Sequence, residues 1–139
     1  MAVYGIGCTY DDIDVSENFL SNEQVCIGWE EKEMEYFQGL FREIQNGDII
    51  ILKSFDIRKR KLIIKAIGIV KDNEIYESEI ASTKSFCIKM NWIIVYNSRP
   101  KEIKLNGDGC TQRGTTIYKE SNKKIIKEIL QFIDNSIKR

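Results

Sequence analysis

Two long apolar runs dominate the middle of the chain, Ile49-Ile50-Ile51-Leu52 and Leu62-Ile63-Ile64-Lys65-Ala66-Ile67-Gly68-Ile69-Val70. Both are rich in β-branched residues, which fit a pleated, buried surface. Only the polar, basic stretch Asp56 to Lys61 lies between them, so the two runs are expected to pair as an antiparallel hairpin. Lys71-Asp72-Asn73 reads as the next turn, and residues 74–80 as a shorter strand. Phe86 to Tyr96 reads as a long final strand of the core sheet. Arg113 to Tyr118 is expected to extend or edge that sheet. Strands at such short spacing favour a curled antiparallel or mixed sheet that closes toward a small barrel. A parallel βαβ arrangement is disfavoured, because helices do not alternate with strands after residue 48.

The N-terminal part supplies the helices. Residues 3–10 read as a first strand softened by Gly5 and Gly7. Asp14-Val15-Ser16-Glu17 fits a helix N-cap with a capping-box acid, opening a short helix through Phe19 and Leu20. Val25 to Trp29 reads as a second short strand. Over 30–45, Met34, Phe37, Leu40, Phe41 and Ile44 recur at helical spacing. Glu30, Glu31 and Glu33 crowd the first turn of that helix, and Asn46-Gly47 stops it. Residues 121–137 form a C-terminal helix with Ile125, Ile126, Ile129, Leu130 and Ile133 on one face. The fold class is therefore α+β, as one domain over residues 1–139.

The chain has no His. That removes Ser-His-Asp and Cys-His catalysis, imidazole metal ligands and imidazole pH switching. There is no Walker-type phosphate loop and no Gly-x-Gly-x-x-Gly fingerprint. Asp11, Asp12 and Asp14 cluster, but without the Gly and Glu of a calcium loop they read as a turn and a cap. Neither catalysis nor a cofactor is expected. Cys8, Cys26, Cys87 and Cys110 contain no Cys-x-x-Cys pair and read as reduced thiols. Cys26 and Cys87 sit in apolar runs and pack as small hydrophobes, whereas Cys8 and Cys110 could be exposed. The first residues lack the basic and apolar regions of a signal peptide. No apolar window approaches the roughly 18 residues of a membrane span. A cytoplasmic protein without membrane contact is expected.

The 21 Lys and Arg balance the 21 Asp and Glu, but unevenly along the chain. Nine acids and one base lie between Asp11 and Glu35. Six bases and no acid lie between Arg58 and Lys71. Arg58, Lys59, Arg60 and Lys65 are thus candidate phosphate contacts. Zero net charge suits a nucleotide or a short single strand better than bulk duplex. Tyr4, Tyr10, Trp29, Phe55, Trp92 and Tyr96 stand near strand ends or glycines. Two or three of them could sandwich a planar base whose edge is read by Thr9, Ser54 or Asn91.

Ile27-Gly28-Trp29, the amphipathic helix after it, Gly47-Asp48 leading into the apolar strand that ends at Ser54, and Ile64 to Val70 together resemble a known family. It is the EVE-like branch of the PUA-like superfamily, which includes EVE, YTH and ASCH domains, and the resemblance covers residues 25–96. It implies a compact, strongly bent β-barrel with flanking helices. It also implies a pocket at one barrel end that takes a modified base, a nucleotide or a short nucleic acid. Under it, Ser54 lines the pocket with Lys53 beside it, and Gly28 and Trp29 enter it. Trp92 lies on a returning strand, and Tyr4 and the Thr9-Tyr10 turn occupy the first strand and its loop. Standalone proteins of this kind resemble parts of bacterial or phage conflict systems, acting with a separate effector protein. The competing reading is a protein-interaction module that docks a partner or forms a homodimer through the acidic segment 11–35 or the C-terminal helix.

Overall fold

The computed structural model describes residues 1–28, 34–96, 98–105 and 111–138. In chain order the elements are β1 (Val3–Gly7), β2 (Thr9–Tyr10), β3 (Ile13–Asp14), α1 (Ser16–Ser21), β4 (Gln24–Gly28), α2 (Met34–Glu43), β5 (Ile49–Asp56) and β6 (Lys61–Ile80). They continue with β7 (Thr83–Val95), β8 (Lys101–Lys104), a 3-10 turn over Thr111–Gly114, β9 (Ile117–Lys119) and α3 (Lys123–Ile137). The fold is α+β: a curled, half-barrel sheet with, among the described residues, three α-helices.

The sheet order is β4-β7-β6-β5-β1-β9, with β8 also pairing β6. β5 and β6 form the expected antiparallel hairpin, from Ile49 opposite Ile69 to Asp56 opposite Lys61. The sheet is mixed, because β1 runs parallel to β5 with Val3 beside Ile49 and Gly7 beside Lys53. β9 edges the sheet at β1.

The turn expected at 71–73 is absent, and β6 runs unbroken from Lys61 to Ile80. Register shifts after Ile67, Val70 and Asp72 bend it instead. The polar residues serve that bend. Asn73 donates its backbone N–H to Asn46 Oδ1 at 2.7 Å and its side-chain amide to the Ile44 carbonyl at 3.0 Å. The reversal comes at Ala81-Ser82, where φ is 49° and 64°. Two consecutive left-handed residues match the twist of a two-residue hairpin.

The capping box is also corrected. Asp14 is drawn into β3, opposite Thr9, so Val15 takes the N-cap position of α1 and makes no side-chain cap bond. Asp14 Oδ1 instead accepts the Ser16 N–H at 2.8 Å. α2 starts at Met34 among the described residues, which exclude Glu30, Glu31 and Glu33. α3 is capped by Asn122, whose side chain accepts from Lys124 and Ile125 N–H.

Two cores lie on opposite faces of the sheet. One packs Tyr4, Ile6, Ile50, Leu52, Val25 and Ile27 against Phe19 of α1 and Phe37, Phe41 and Ile44 from α2 and the loop after it. The other packs Val3, Ile49, Ile51, Ile64 and Ile67 against Ile125 and Ile129 of α3. Leu130, expected on the core face, is 37% exposed.

The reading of Cys26 and Cys87 as reduced thiols is overturned. They stand directly opposite each other in β4 and β7, and their sulfurs are bonded. Strand register brings together two cysteines 61 residues apart. Cys8 is buried rather than exposed, and burial pushes its thiol pKa up. Cys110 lies outside the described residues.

Candidate functional site

A cavity of about 170 Å³ opens where the curl of the sheet comes round on itself. Its walls are Gly7 at the end of β1, Thr9, Tyr10 and Asp11 of the β2–β3 hairpin, Gly28 at the end of β4, Thr83 at the start of β7, and Thr116 ahead of β9. Asp11 and Asp12 form the hairpin turn, with φ of 44° and 70°. Their short side chains tolerate that backbone better than most. The Tyr10 hydroxyl lies 3.1 Å from Ser85 Oγ, and its ring meets Phe19 edge-on at 6.3 Å. Three threonines, one tyrosine and one aspartate give the cavity hydroxyl donors and acceptors around an aromatic face.

Three of the sequence-derived residues, Thr9, Tyr10 and Gly28, therefore meet at one site. Trp29 follows Gly28 directly in the chain and lies outside the described residues. The other candidates fall elsewhere. Tyr4 is buried in the core, where burial first, and then the nearby Asp48 and Glu43 carboxylates, raise its pKa. Ser54 is half-buried on β5 opposite Ile63 and does not line the cavity. Trp92 is half-buried and donates its indole N–H to the Phe19 carbonyl at 3.1 Å, which ties α1 to β7. An added Cβ on Gly68 would lie 2.7 Å from the Trp92 ring, so this glycine is the seat of that indole.

Arg58, Lys59 and Arg60 are exposed in the β5–β6 turn. The Lys59 N–H donates to Asp56 Oδ1 at 3.1 Å, and Arg60 has a φ of 51°. Because β1 and β5 are parallel, this turn leaves the sheet at the end where Gly7 meets the cavity. β5 continues three residues past Lys53, the partner of Gly7, which carries the turn about 10 Å beyond that level. Lys65 is not part of this group. It pairs with Asp14 at 3.5 Å in a separate open groove of about 650 Å³ that includes Ser16, Glu17, Tyr96 and Pro100. Burial works to lower the Lys65 pKa, but Cys8 and Asp14 outweigh it and the net direction is upward.

One wall of the cavity is held by buried charges that carry no mark of burial in their local sequence. Arg113 is 2% exposed and Glu120 is 4% exposed. Arg113 grips Glu120 with two hydrogen bonds, Nε to Oε1 at 3.0 Å and Nη2 to Oε2 at 2.7 Å. The Tyr118 hydroxyl donates to Glu120 Oε1 at 3.2 Å. Lys53, 3% exposed, donates to the Arg113 carbonyl at 2.8 Å and also to the Thr115 carbonyl. The Tyr118 ring covers Gly5, where even a Cβ would collide with it. These contacts fasten the segment 113–120, which carries Thr116, onto β1 and β5.

Burial lowers the Lys53 pKa from 10.5 to about 8, with Cys8 opposing. The unfolded chain keeps this proton up to the higher value. Between the two pKa values it binds more protons than the folded protein, so the stability contributed here rises with pH. The stability difference between wild type and Lys53→Met is expected to move in favour of wild type from about pH 8 to pH 10, read from urea midpoints. A difference that stays flat would mean that the ammonium is not desolvated.

Among the described residues, no group of three or more Cys, Asp or Glu could hold a metal ion. Asp14 of the acidic cluster is engaged by Ser16 and Lys65. No helix among the described residues is long and apolar enough to cross a membrane. No family model matches the chain, and no curated protein matches its sequence.

Proposed function

We propose that the chain is a non-enzymatic, EVE-like binding module. Its ligand is a modified base, nucleotide or short nucleic acid, held at the end of the curled sheet. The observation that carries this reading is the convergence of Thr9, Tyr10 and Gly28 on one cavity, with Trp29 next in the chain and the Arg58–Arg60 turn leaving the sheet at the same end. The base enters against the Tyr10 ring, its edge meets the threonine hydroxyls, and the phosphates face the basic turn. Such a stack contributes about 1–3 kcal/mol per base. A cavity of this size holds the base alone, so the sugar and phosphates lie outside it. Binding of this kind suits a conflict system that senses modified DNA or sequesters a nucleotide signal and signals through a separate effector protein.

Gly28→Leu tests the reading. A Cβ on Gly28 would meet Thr83 Cγ2 at 3.4 Å and Tyr10 at 3.8 Å, which are ordinary contacts. The variant is expected to fold, with its longer side chain filling the cavity mouth. Thermal shift against nucleotides, modified nucleosides and short single strands is the measurement. A ligand at one hundred times its dissociation constant adds about 2.7 kcal/mol to wild type. Gly28→Leu should lose that gain, and Arg58→Glu/Arg60→Glu should lower the salt dependence of binding. Ligand binding untouched by Gly28→Leu would move the site elsewhere. A panel with no ligand at all would favour the protein-interaction reading.

A further inference from the structure

Among the described residues, Asp11 is the one charged side chain that lines the cavity. It sits in the β2–β3 turn, where it and Asp12 take φ of 44° and 70° between the paired residues Tyr10 and Ile13. The tight turn therefore sets its position. Asp14, on the same hairpin, is held by Ser16 and Lys65. Asp11 makes no side-chain hydrogen bond or ion pair among the described residues. Its two carboxylate oxygens are left to a ligand. The Tyr10 hydroxyl is already engaged. Ser85 Oγ donates to the Thr83 carbonyl at 3.2 Å, so Tyr10 is the donor in its 3.1 Å contact with Ser85. That relay fixes the ring as a stacking face and spends its proton inside the protein.

We infer that Asp11 selects a guanine base, an inference that rests on the reading of the cavity as a base pocket. An ionised carboxylate only accepts hydrogen bonds. Among the common bases, guanine alone presents two adjacent donors, N1–H and the 2-amino group. They match the two carboxylate oxygens as a guanidinium does. Cytosine and adenine each set one amino donor beside a ring-nitrogen acceptor. Uracil and thymine flank N3–H with two carbonyls, which a carboxylate repels. The same negative charge keeps phosphate out of the cavity, in line with its placement at the Arg58–Arg60 turn. Asp11 is exposed, and a base stacked on Tyr10 shields the new pair from water, which strengthens it.

Titration calorimetry of the full chain with guanosine, inosine and uridine 5′-monophosphates tests this. Inosine differs from guanosine only in lacking the 2-amino group. The guanosine nucleotide is expected to bind about tenfold more tightly than the inosine nucleotide, the loss of one charge-assisted hydrogen bond. The uridine nucleotide should bind more weakly still. Asp11→Asn should fold as wild type does, because asparagine takes the left-handed backbone readily. Its amide offers one acceptor and one donor, which suit N1–H and O6 and leave the 2-amino group unmatched. The variant should bind the guanosine nucleotide about tenfold more weakly and lose its preference over inosine. Equal binding of the two by wild type overturns the inference, as does a preference that Asp11→Asn retains. Wild type that binds none of the three at millimolar concentration overturns it as well. Gly28→Leu separates this inference from the reading beneath it. A nucleotide that Gly28→Leu expels but that is indifferent to Asp11→Asn leaves the cavity reading standing and removes the guanine assignment. Guanosine nucleotide binding that survives Gly28→Leu removes both.

Discussion

Arg113→Met is expected to lower the unfolding free energy by about 3–5 kcal/mol, the usual loss when one member of a buried ion pair is removed. The guanidinium and the Glu120 carboxylate are both withdrawn from water, and the side chain of Arg113 makes two hydrogen bonds to that carboxylate. Methionine fills a similar volume but leaves a buried anion that, among the described residues, keeps the Tyr118 hydroxyl and the Asn122 N–H as its donors. Replacing both partners, as Arg113→Met/Glu120→Leu, should recover most of the loss, since an apolar pair asks for no compensation. Urea unfolding at neutral pH measures both variants. A single-variant loss below about 1 kcal/mol would show that the pair is solvated, as surface pairs are. The double variant also asks what the charges are for. If it is stable but binds ligand poorly, the clasp serves to fix Thr116 at the cavity.

The second large effect lies at the opposite edge of the sheet. Cys26→Ala/Cys87→Ala should cost about 4 kcal/mol relative to the oxidised protein, the loop-closure entropy for a link across 61 residues. β4 is the terminal strand of the sheet, paired only with β7 in the sheet order, so the cross-link replaces the neighbour it lacks on the other side. Denaturant unfolding with and without a dithiol, alongside intact mass, checks this. Equal midpoints would sink the expectation, as would a mass showing both sulfurs as thiols. Both cysteines are buried. A dithiol should therefore reduce them at the rate at which β4 detaches from β7, not at the rate of an exposed disulfide.

Much of the frame was legible because it is written in apolar runs. Ile49–Leu52, Leu62–Val70 and Phe86–Val95 pair with one another in chain order, and helical spacing marked α2 and α3. What was missed has physical causes. Lys71-Asp72-Asn73 has turn composition, but its polar groups bind the loop after α2 and serve a bend inside a strand. Ala81-Ser82 makes the true turn without the glycine or asparagine that usually announces one. Cys26 and Cys87 could not be paired without the register of β4 on β7, which no spacing encodes. Lys53, Arg113 and Glu120 read as surface charges, because such residues are seldom buried unless paired, and their pairing is tertiary. At the site, Thr9, Tyr10 and Gly28 could be found because turns and a strand end lie beside them. Thr83 and Thr116 come from distant chain segments and carry no local mark. Arg58, Lys59 and Arg60 were read with Lys65 as one group, and the fold separates Lys65 from them.

The placement of β1 has a consequence for the order in which the protein is made. This strand, begun at Val3, pairs with Ile49–Lys53 on one side and Ile117–Lys119 on the other. Made before both of its neighbours, β1 is therefore among the last of these strands to be completed, since its second neighbour is synthesised more than a hundred residues later. Until then Tyr4 and Ile6 have no finished core to enter, and one edge of the nascent sheet stays open. Long-range pairing of this kind slows folding and prolongs exposure of strand edges during synthesis.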